Sequence, residues 1–362
     1  MTKIVDAQSF LVDIPVEALR TDALQTFLKQ ETLFVSIKTD DGNSGLGYSY
    51  TIGTGGTAVL AMLRDYLIPQ LIGKDARNIE RIWLDLFGST RATATGAITS
   101  LALATIDTAL WDLKCLRAGE PLWRVAGGFN HSVPLYDTEG GWLHLSTEDL
   151  VLGARESKAK GWPGVKLKIG RPHLFQDVER LEAVRHAVGP EMHIMVDANQ
   201  SMTLAESKRR AAAFSPFDLF WLEEPLPADD IQGHVALARS TAIPIAVGES
   251  MYSPAQFREY MQAGAASIIQ VDVARVGGVT PWLKVAHAAE TFNLKVAPHF
   301  LMELHVSLAA AVPNSLYVEH IPQLRTLTRT QLEIRDGMAI APEAAGLGID
   351  WDFDAIENGR VA

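Results

Sequence analysis

The sequence predicts an α/β protein: a (β/α)8-type barrel with an N-terminal α+β capping domain that the C-terminal tail completes. The first observation is an alternation of short apolar strands with helical patterns over about 190 residues from Val133 onward, which is typical of a parallel sheet with helical crossovers. The second is the segment before it, where strands come first and helices follow. The third is an ionisable residue at the end of nearly every barrel strand.

The N-terminal part has the pattern of a compact α+β unit. Strands are predicted from Lys3 to Val16 and in LFVSIKTDDGNSGLGYSY, which turns at Asp41-Gly42, a common hairpin pair. Apolar residues at three- and four-residue spacing then predict three helices. These cover Thr57 to Ile72, Asn78 to Phe87 and Thr99 to Leu116. We assign residues 1–125 to this capping domain.

Eight strands are predicted in the second part, residues 126–321. They are VPLYDT, GVKLKIG, HIMVDANQ, LFWLEEP, IPIAVGES, SIIQVDVA, KVAPHF and LYVEHI. An open doubly wound sheet is the alternative, but no glycine-rich phosphate fingerprint follows any of these strands, which disfavours its dinucleotide-binding form. Residues 322–362 are rich in turns, and we expect this tail to pack back on the capping domain.

Composition excludes several classes of partner. The 362 residues carry 32 basic and 43 acidic side chains, a net charge of −11, with no tract of Lys and Arg. This balance argues against nucleic acid and membrane surfaces as partners. The chain has no run of about 18 apolar residues and no export signal, so we expect a cytoplasmic protein. Cys115 is the only cysteine, which excludes an intrachain disulfide.

Three carboxylates recur at the same position of consecutive strand–helix units. Asp197, Glu223 and Glu249 end consecutive strands, and the spacings are 223 − 197 = 26 and 249 − 223 = 26. Parallel strands of a barrel open on one face, so these groups are expected to converge there. A set of three carboxylates without His or Cys favours Mg²⁺ over softer metals, and Ca²⁺ is disfavoured because no flexible acidic loop is present. Strand alternation alone does not choose between Glu223 and Glu224.

Two further strand ends carry groups suited to proton transfer. Lys166 and Lys168 stand two apart on one strand, so both ammonium groups face one side and one lysine is expected to have a lowered pKa. A solvated lysine pair is the alternative. Asp272 and His299 end successive strands, which places a carboxylate beside an imidazole and is typical of an oriented base.

Taken together, these motifs resemble the enolase superfamily, specifically its mandelate racemase subgroup, over essentially the whole chain. The matching elements are Lys166-x-Lys168, Asp197-x-Asn199, WLEEP with Glu223, VGES with Glu249, VDVARVGGVT with Asp272, APHF with His299, and YVEH with Glu319.

The resemblance implies abstraction of the proton α to a carboxylate, with Mg²⁺ holding the resulting enediolate. Asp197, Glu223 and Glu249 would bind the metal. Lys168 would be one base, and His299, oriented by Asp272, would serve on the opposite face. Lys166 would adjust the pKa of Lys168 and touch the substrate carboxylate. Glu319 would donate a hydrogen bond to the enediolate, and Asn199 would contact the substrate.

Within the subgroup, the run PHFLMELHVSLAAAVPN, then VEHI, then LEIRDG resembles the acid-sugar dehydratases. This implies a dehydratase that converts an aldarate, a six-carbon acid sugar with two carboxylates, to its 4-deoxy-5-keto product. Such a small-molecule substrate would meet a polar lid, in which Arg20, Lys29 and Tyr50 are candidates to bind its distal carboxylate or hydroxyls. A racemase or epimerase of a 2-hydroxy acid or amino-acid derivative is the alternative, and a non-catalytic sugar-acid binder is a third reading. The resemblance also implies a homo-oligomer.

Overall fold

A computed structural model describes residues 2–93 and 96–362. The capping unit begins with an antiparallel sheet of order β1-β2-β3, and four helices follow it. The strands are β1 (Ile4–Pro15), β2 (Lys29–Thr39) and β3 (Ser44–Thr51), and the helices are α1 (Gly56–Ala61), α2 (Ile79–Ser89), α3 (Ala97–Ala118) and α4 (Leu122–Val125). Residues 16–28 join β1 to β2, and we call this segment the lid loop.

The sheet lies directly against α3, and glycine makes this contact possible. A Cβ atom on Gly47 of β3 would lie 2.2 Å from the backbone nitrogen of Ala109 and from the backbone oxygen of Thr105. Only a residue without a side chain can sit at this separation. The close approach fixes β3 relative to α3 within the capping unit.

The second unit alternates strands and helices throughout. Its strands are β4 (Ser132–Asp137), β5 (Gly164–Lys168), β6 (His193–Asp197), β7 (Trp221–Glu223), β8 (Ile245–Val247), β9 (Ile268–Ile269), β10 (Lys295–Val296) and β11 (Val318–His320). Its helices are α5 (Thr147–Ala159), α6 (Leu174–Val188), α7 (Leu204–Phe214), α8 (Ile231–Ala238), α9 (Pro254–Ala263), α10 (Val279–Thr291) and α11 (Met302–Ala311).

These eight strands form a closed ring. Parallel pairing runs in chain order from β4 to β10, and β11 pairs in parallel with β4. A parallel bridge between Val296 and Ser315 joins the remaining neighbours, β10 and the segment before β11. The predicted (β/α)8 barrel is therefore confirmed, and the open doubly wound alternative is wrong because β4 and β11 are hydrogen-bonded to each other.

The C-terminal tail contacts both units. It contains β12 (Ile334–Arg335), β13 (Met338–Ile340) and α12 (Phe353–Gly359). Strand β13 pairs antiparallel with β4 of the barrel, while the end of the tail reaches β1 through a bridge between Val12 and Arg360. The end of the tail therefore contacts the capping unit, and its hairpin joins the barrel. The domain boundaries at 125/126 and 321/322 stay predictions.

Among residues 2–93 and 96–362, no helix combines the length and the apolar character needed to cross a membrane.

Candidate active site

Backbone register aligns the first functional side chains at the mouth of the barrel. Lys168 pairs with Asp197 across β5 and β6, and Asp197 pairs with Glu223 across β6 and β7. Side chains at paired positions of parallel strands point to the same face, so the ammonium and the two carboxylates share one level. Glu249 lies just beyond β8, after Gly248, whose φ of +150° and crowding against the Gln270 backbone suit glycine.

Three carboxylates converge at this level. One oxygen from each of Asp197, Glu223 and Glu249 lies within 4.8 Å of the others, and all three side chains are buried. Oxygen-only ligands of this kind suit a hard divalent cation such as Mg²⁺. Oε2 of Glu249 has no hydrogen-bond partner, which leaves it available as a ligand. The donor set therefore fits the metal that the sequence predicts.

The structure separates Glu223 from its neighbour Glu224. Glu223 accepts a hydrogen bond from Nε1 of Trp221 at 2.9 Å and keeps its other oxygen beside Lys166 at the carboxylate cluster. Glu224 has a φ of +38°, accepts a hydrogen bond from Gln200 and is fully buried, and this burial raises its pKa well above the usual value. Glu223, not Glu224, therefore belongs to the cluster.

Both lysines of β5 are ion-paired. Nζ of Lys168 lies 2.5 Å from Oδ2 of Asp197, and Nζ of Lys166 lies 2.9 Å from Glu223 and 2.6 Å from Glu319. Burial lowers the pKa of each lysine, but the attraction of these carboxylates outweighs it, and both pKa values are raised. The expected lowered lysine pKa is therefore wrong for this structure, because neighbouring carboxylates stabilise the ammonium more than the second lysine destabilises it.

The carboxylate of Glu319 is the acceptor in each of its described hydrogen bonds. Its carboxylate accepts from Oγ1 of Thr138 at 2.7 Å and from the backbone N–H of Phe300 at 2.9 Å, in addition to pairing with Lys166. Burial raises its pKa, but the combined attraction of Lys166, His299 and Lys168 outweighs burial and brings the pKa to about 2. The donor role that the resemblance implies for Glu319 conflicts with this arrangement, since a donor must be protonated.

His299 is held by a carboxylate from the preceding strand. Its Nδ1 lies 2.8 Å from Oδ2 of Asp272, and the same oxygen accepts a hydrogen bond from the hydroxyl of Tyr50 at 2.6 Å. An Nδ1–H that donates to Asp272 leaves Nε2 as the free base, and Nε2 lies 3.4 Å from Oε2 of Glu249. Burial lowers the pKa of His299, and the attraction of Glu249 and Asp272 outweighs it and raises the pKa.

Sequence reasoning missed Arg275, although it lies three residues after Asp272 in a motif already singled out. Its Nη1 donates to the backbone oxygen of Glu249 at 2.9 Å and lies 3.2 Å from Oε1 of the same residue. Its Nε is 4.0 Å from Oδ2 of Asp272. Arg275 therefore connects the carboxylate cluster to the pair formed by Asp272 and His299. A spacing of three residues in a loop gives no sequence signal for such a contact.

A small cavity of about 30 Å³ lies above these groups. Lys168 and His299 both line it, and Asn199, Glu249, Arg275 and Glu319 contribute further polar groups. The remaining walls come from Asp22, Gln25, Phe27, Ile52, Trp142, Phe300 and Ile321. Oδ1 of Asn199 is buried without a hydrogen-bond partner, so it can bind a ligand hydroxyl or ammonium. Lys166, enclosed by carboxylates, does not line the cavity.

The three residues suggested for the distal end of the substrate lie elsewhere. Arg20 is buried and pairs with Glu139 at 2.9 Å and with Gln323 at 3.1 Å, outside the cavity. Lys29 forms ion pairs with Asp13 and Glu31. Tyr50 is tied to Asp272, as described above. The capping unit reaches the cavity through Asp22, Gln25, Phe27 and Ile52 instead, because its side chains follow their nearest partners and not the strand register of the barrel.

Family models match both parts of the chain. Residues 8–127 match the model described as mandelate racemase / muconate lactonizing enzyme, N-terminal domain. Residues 149–355 match the model described as enolase C-terminal domain-like. The chain therefore belongs to the enolase superfamily, in its mandelate racemase/muconate lactonizing enzyme branch, and the family predicted from the sequence is confirmed.

Individual relatives cover most of the chain. An L-talarate/galactarate dehydratase of Salmonella typhimurium is 37% identical over 87% of this chain and 79% of its own length. A 3,6-anhydro-alpha-L-galactonate cycloisomerase of Streptomyces coelicolor is 36% identical over 97% of each chain. The crystal structure of an L-talarate dehydratase from Polaromonas sp. JS666, complexed with Mg and L-glucarate, has a TM-score of 0.95 and 37% identity, covering 100% of this chain and 98% of that one.

Proposed function

We propose that this protein is a Mg²⁺-dependent acid-sugar dehydratase, a hydro-lyase of the enolase superfamily. One observation carries the proposal: Lys168 and His299 line the same cavity directly beside three converging carboxylates. They come from the ends of β5 and β10, which stand three strands apart around the eight-stranded ring. Two proton-transfer groups on different sides of one substrate suit removal of a proton and protonation of a leaving group.

The three carboxylates Asp197, Glu223 and Glu249 would hold the magnesium ion. When bound, the ion supplies positive charge that offsets the negative charge developing on the substrate carboxylate as the α-proton leaves. Relatives support the choice of metal, since the Polaromonas enzyme was crystallised with Mg. The protein contributes a buried, water-poor site in which such charge interactions are strong.

Lys168 and His299 carry out the two proton transfers of the elimination. One of Lys168 and His299 takes the α-proton, and the electron pair of the broken C–H bond forms a carbon–carbon double bond as the β C–O bond breaks. The other group protonates the departing hydroxyl, which leaves as water. The resulting enol then takes up a proton to give the keto-deoxy acid. Asp272 keeps Nε2 of His299 aimed at the substrate, and Asn199 is placed to contact a hydroxyl.

Two kinds of acid sugar are supported by the relatives. The first kind is a six-carbon diacid such as L-talarate or galactarate, which would give a 4-deoxy-5-keto product. A diacid is also the substrate that the sequence resemblance suggests. The cycloisomerase relative is named for an anhydro-sugar monoacid. The two kinds differ at the end of the substrate away from the metal. Cytoplasmic location and homo-oligomerisation stay predictions.

An NMR screen of acid sugars with Mg²⁺ in D₂O tests the proposal. We expect at least one acid sugar to lose water, and Lys168→Met and His299→Asn each to lower that rate by roughly 100-fold or more. Lys160→Met, which changes an exposed lysine, is the matched control and should not alter the rate.

Each other outcome has a distinct meaning. Deuterium at C2 without water loss would indicate a racemase or epimerase, which the two proton-transfer groups also allow. If no acid sugar either exchanged or lost water, the proposed function would be wrong. Binding detected by thermal shift in that case would indicate a non-catalytic sugar-acid binder.

A further inference from the structure

The lid side of the cavity carries negative charge and no cation. Four cavity-lining side chains come from the capping unit: Asp22, Gln25, Phe27 and Ile52. One is a carboxylate, one an amide and two are apolar. A second carboxylate on the substrate would therefore meet no positive partner on this side, since a carboxylate requires a cation or several N–H donors when it is buried.

The cations that the lid loop and its edge do contain are already paired. Arg20 is held by Glu139 and Gln323 outside the cavity. Lys29 is held by Asp13 at 2.7 Å and Glu31 at 3.3 Å. Neither can reach the cavity without breaking these contacts. The lid therefore cannot supply a distal cation while it keeps the conformation that closes the site.

Arg275 is the arginine that lines the cavity, and it is also committed. Its guanidinium donates twice to Glu249, lies 4.0 Å from Asp272 and sits 5.8 Å from the ring centroid of Tyr50. The two nearby carboxylates balance its charge. Arg275 is thus paired with Glu249 of the carboxylate cluster and with Asp272 beside His299. It adds no net positive charge at the lid side of the cavity.

Asp22 is oriented by its own loop. Its Oδ1 accepts hydrogen bonds from the backbone N–H groups of Leu24 at 2.7 Å and Gln25 at 2.8 Å, which fixes the side chain in place. Its Oδ2 makes no hydrogen bond within the described chain. A fixed carboxylate oxygen at a cavity wall accepts hydrogen bonds from substrate hydroxyls and repels a second carboxylate.

The lid loop is itself held against the barrel. Ala23 packs on Gly170, where a Cβ atom would lie 2.9 Å from the Cβ atom of Ala23. The backbone N–H of Leu143 donates to the oxygen of Thr21 at 3.0 Å. These contacts flank Asp22 in the sequence, so the carboxylate has little freedom to withdraw from the cavity.

From this arrangement we infer that the substrate is a sugar monoacid, an aldonate or anhydro-aldonate with an uncharged distal end, and not a diacid. This inference rests on the proposed function and narrows its substrate class. The single substrate carboxylate lies at the metal, and the distal hydroxyls meet Asp22 and Gln25.

Matched substrate pairs test the inference. Galactonate and galactarate, gluconate and glucarate, and mannonate and mannarate differ only at C6, a hydroxymethyl group against a carboxylate. With the Mg²⁺-loaded enzyme we expect kcat/KM for the accepted monoacid to exceed that of its diacid partner by at least 10-fold. In Asp22→Asn, which retains Oδ1 as an acceptor for the loop N–H groups, we expect this ratio to fall by at least 5-fold.

Glu17→Gln is the matched control, because it removes a carboxylate from the same loop at an exposed position outside the cavity. It should leave the ratio unchanged. A diacid turned over as well as its monoacid partner by the unaltered enzyme would overturn the inference while leaving the proposed dehydratase intact. An unchanged ratio in soluble, folded Asp22→Asn would overturn the role given to Asp22.

The outcome stays informative even without turnover. If none of these six acids reacts, thermal shifts with Mg²⁺ and each member of a pair decide the binding preference, while the wider acid-sugar screen decides the proposed function. A larger shift with the monoacid supports an uncharged distal end, and a larger shift with the diacid overturns it.

Discussion

The barrel mouth and the lid loop, residues 16–28, behave differently as sources of functional groups. At the mouth, Asp197 and Glu223 stand at paired positions of adjacent strands, and Lys168 pairs with Asp197 in the same way. In the lid loop, Arg20 turns away from the cavity to Glu139, and Asp22 lines the cavity instead.

The difference follows from what fixes each side chain. Backbone hydrogen bonds of a parallel ladder set the position and direction of every strand residue, so a periodic sequence pattern suffices to bring side chains together. A loop residue is placed by whichever partner stabilises it most, and that partner can come from any part of the chain. Arg20 and Glu139 are 119 residues apart.

The strongest test of the mouth compares Glu223→Gln with Glu224→Gln. Glu223→Gln removes one carboxylate of the cluster, so we expect kcat/KM to fall by about 1,000-fold or more and Mg²⁺ affinity to fall with it. Glu224→Gln changes the adjacent buried side chain outside the cluster and should cost less than about 10-fold. Calorimetric Mg²⁺ titration and steady-state rates measure both, and equal losses would contradict the assignment of Glu223.

The pair formed by Asp272 and His299 gives the next largest expected effect. In Asp272→Asn, the amide oxygen can still accept from the N–H groups of Ala274 and Arg275, but its NH₂ then faces Nδ1 of His299 and favours the wrong tautomer. We expect kcat to fall by roughly 100-fold or more, with KM little changed. Tyr50→Phe removes only one hydrogen bond to Asp272 and should cost less than about 10-fold. Similar losses in both variants would show that orientation by Asp272 is not what matters.

Replacing Arg20 tests the lid side of the comparison. Because Arg20 holds the loop to Glu139 and Gln323, Arg20→Ala should raise KM by about 10-fold for monoacids and diacids alike, with a smaller change in kcat. Glu139→Gln, which removes the charge of the partner, should act in the same direction. A loss confined to diacid substrates would instead place Arg20 at a distal carboxylate.

The smallest effect on activity is expected for a buried carboxyl that does not line the cavity and has no ion pair among the described residues. Burial raises the pKa of Glu303, at the start of α11, to about 7. A carboxyl with a raised pKa binds its proton more tightly in the folded state, so its contribution is fully present below about pH 4.5 and is lost as the pH rises towards 7. The difference corresponds to roughly 3 kcal/mol of unfolding free energy.

Denaturant unfolding between pH 4.5 and 8 measures this loss. Wild-type protein should lose stability relative to Glu303→Gln as the pH rises, because glutamine has no proton to release. Glu182→Gln, at an exposed position of α6, should follow the wild type throughout. Parallel curves for wild type and Glu303→Gln would exclude the raised pKa.

Much of the barrel and its mouth could be predicted from the chain alone. The eight strands follow from short apolar runs at regular intervals, and the carboxylates follow from their equal spacing at strand ends. The charge states at β5 could not be predicted, because they depend on Glu319 of β11, which only the closed ring brings to Lys166. Arg275 and Asp22 were missed because the cavity that both line is formed only where the capping unit meets the barrel loops.

The sequence by itself determined the superfamily, the barrel and the level at which the acidic and basic side chains stand, because period and spacing act through the backbone ladder. Only the tertiary structure decided which groups line the cavity and what charge each one faces. Closing the ring and lowering the lid bring together residues that are far apart in the chain, and electrostatic energies depend on those distances and on burial, which no local pattern encodes.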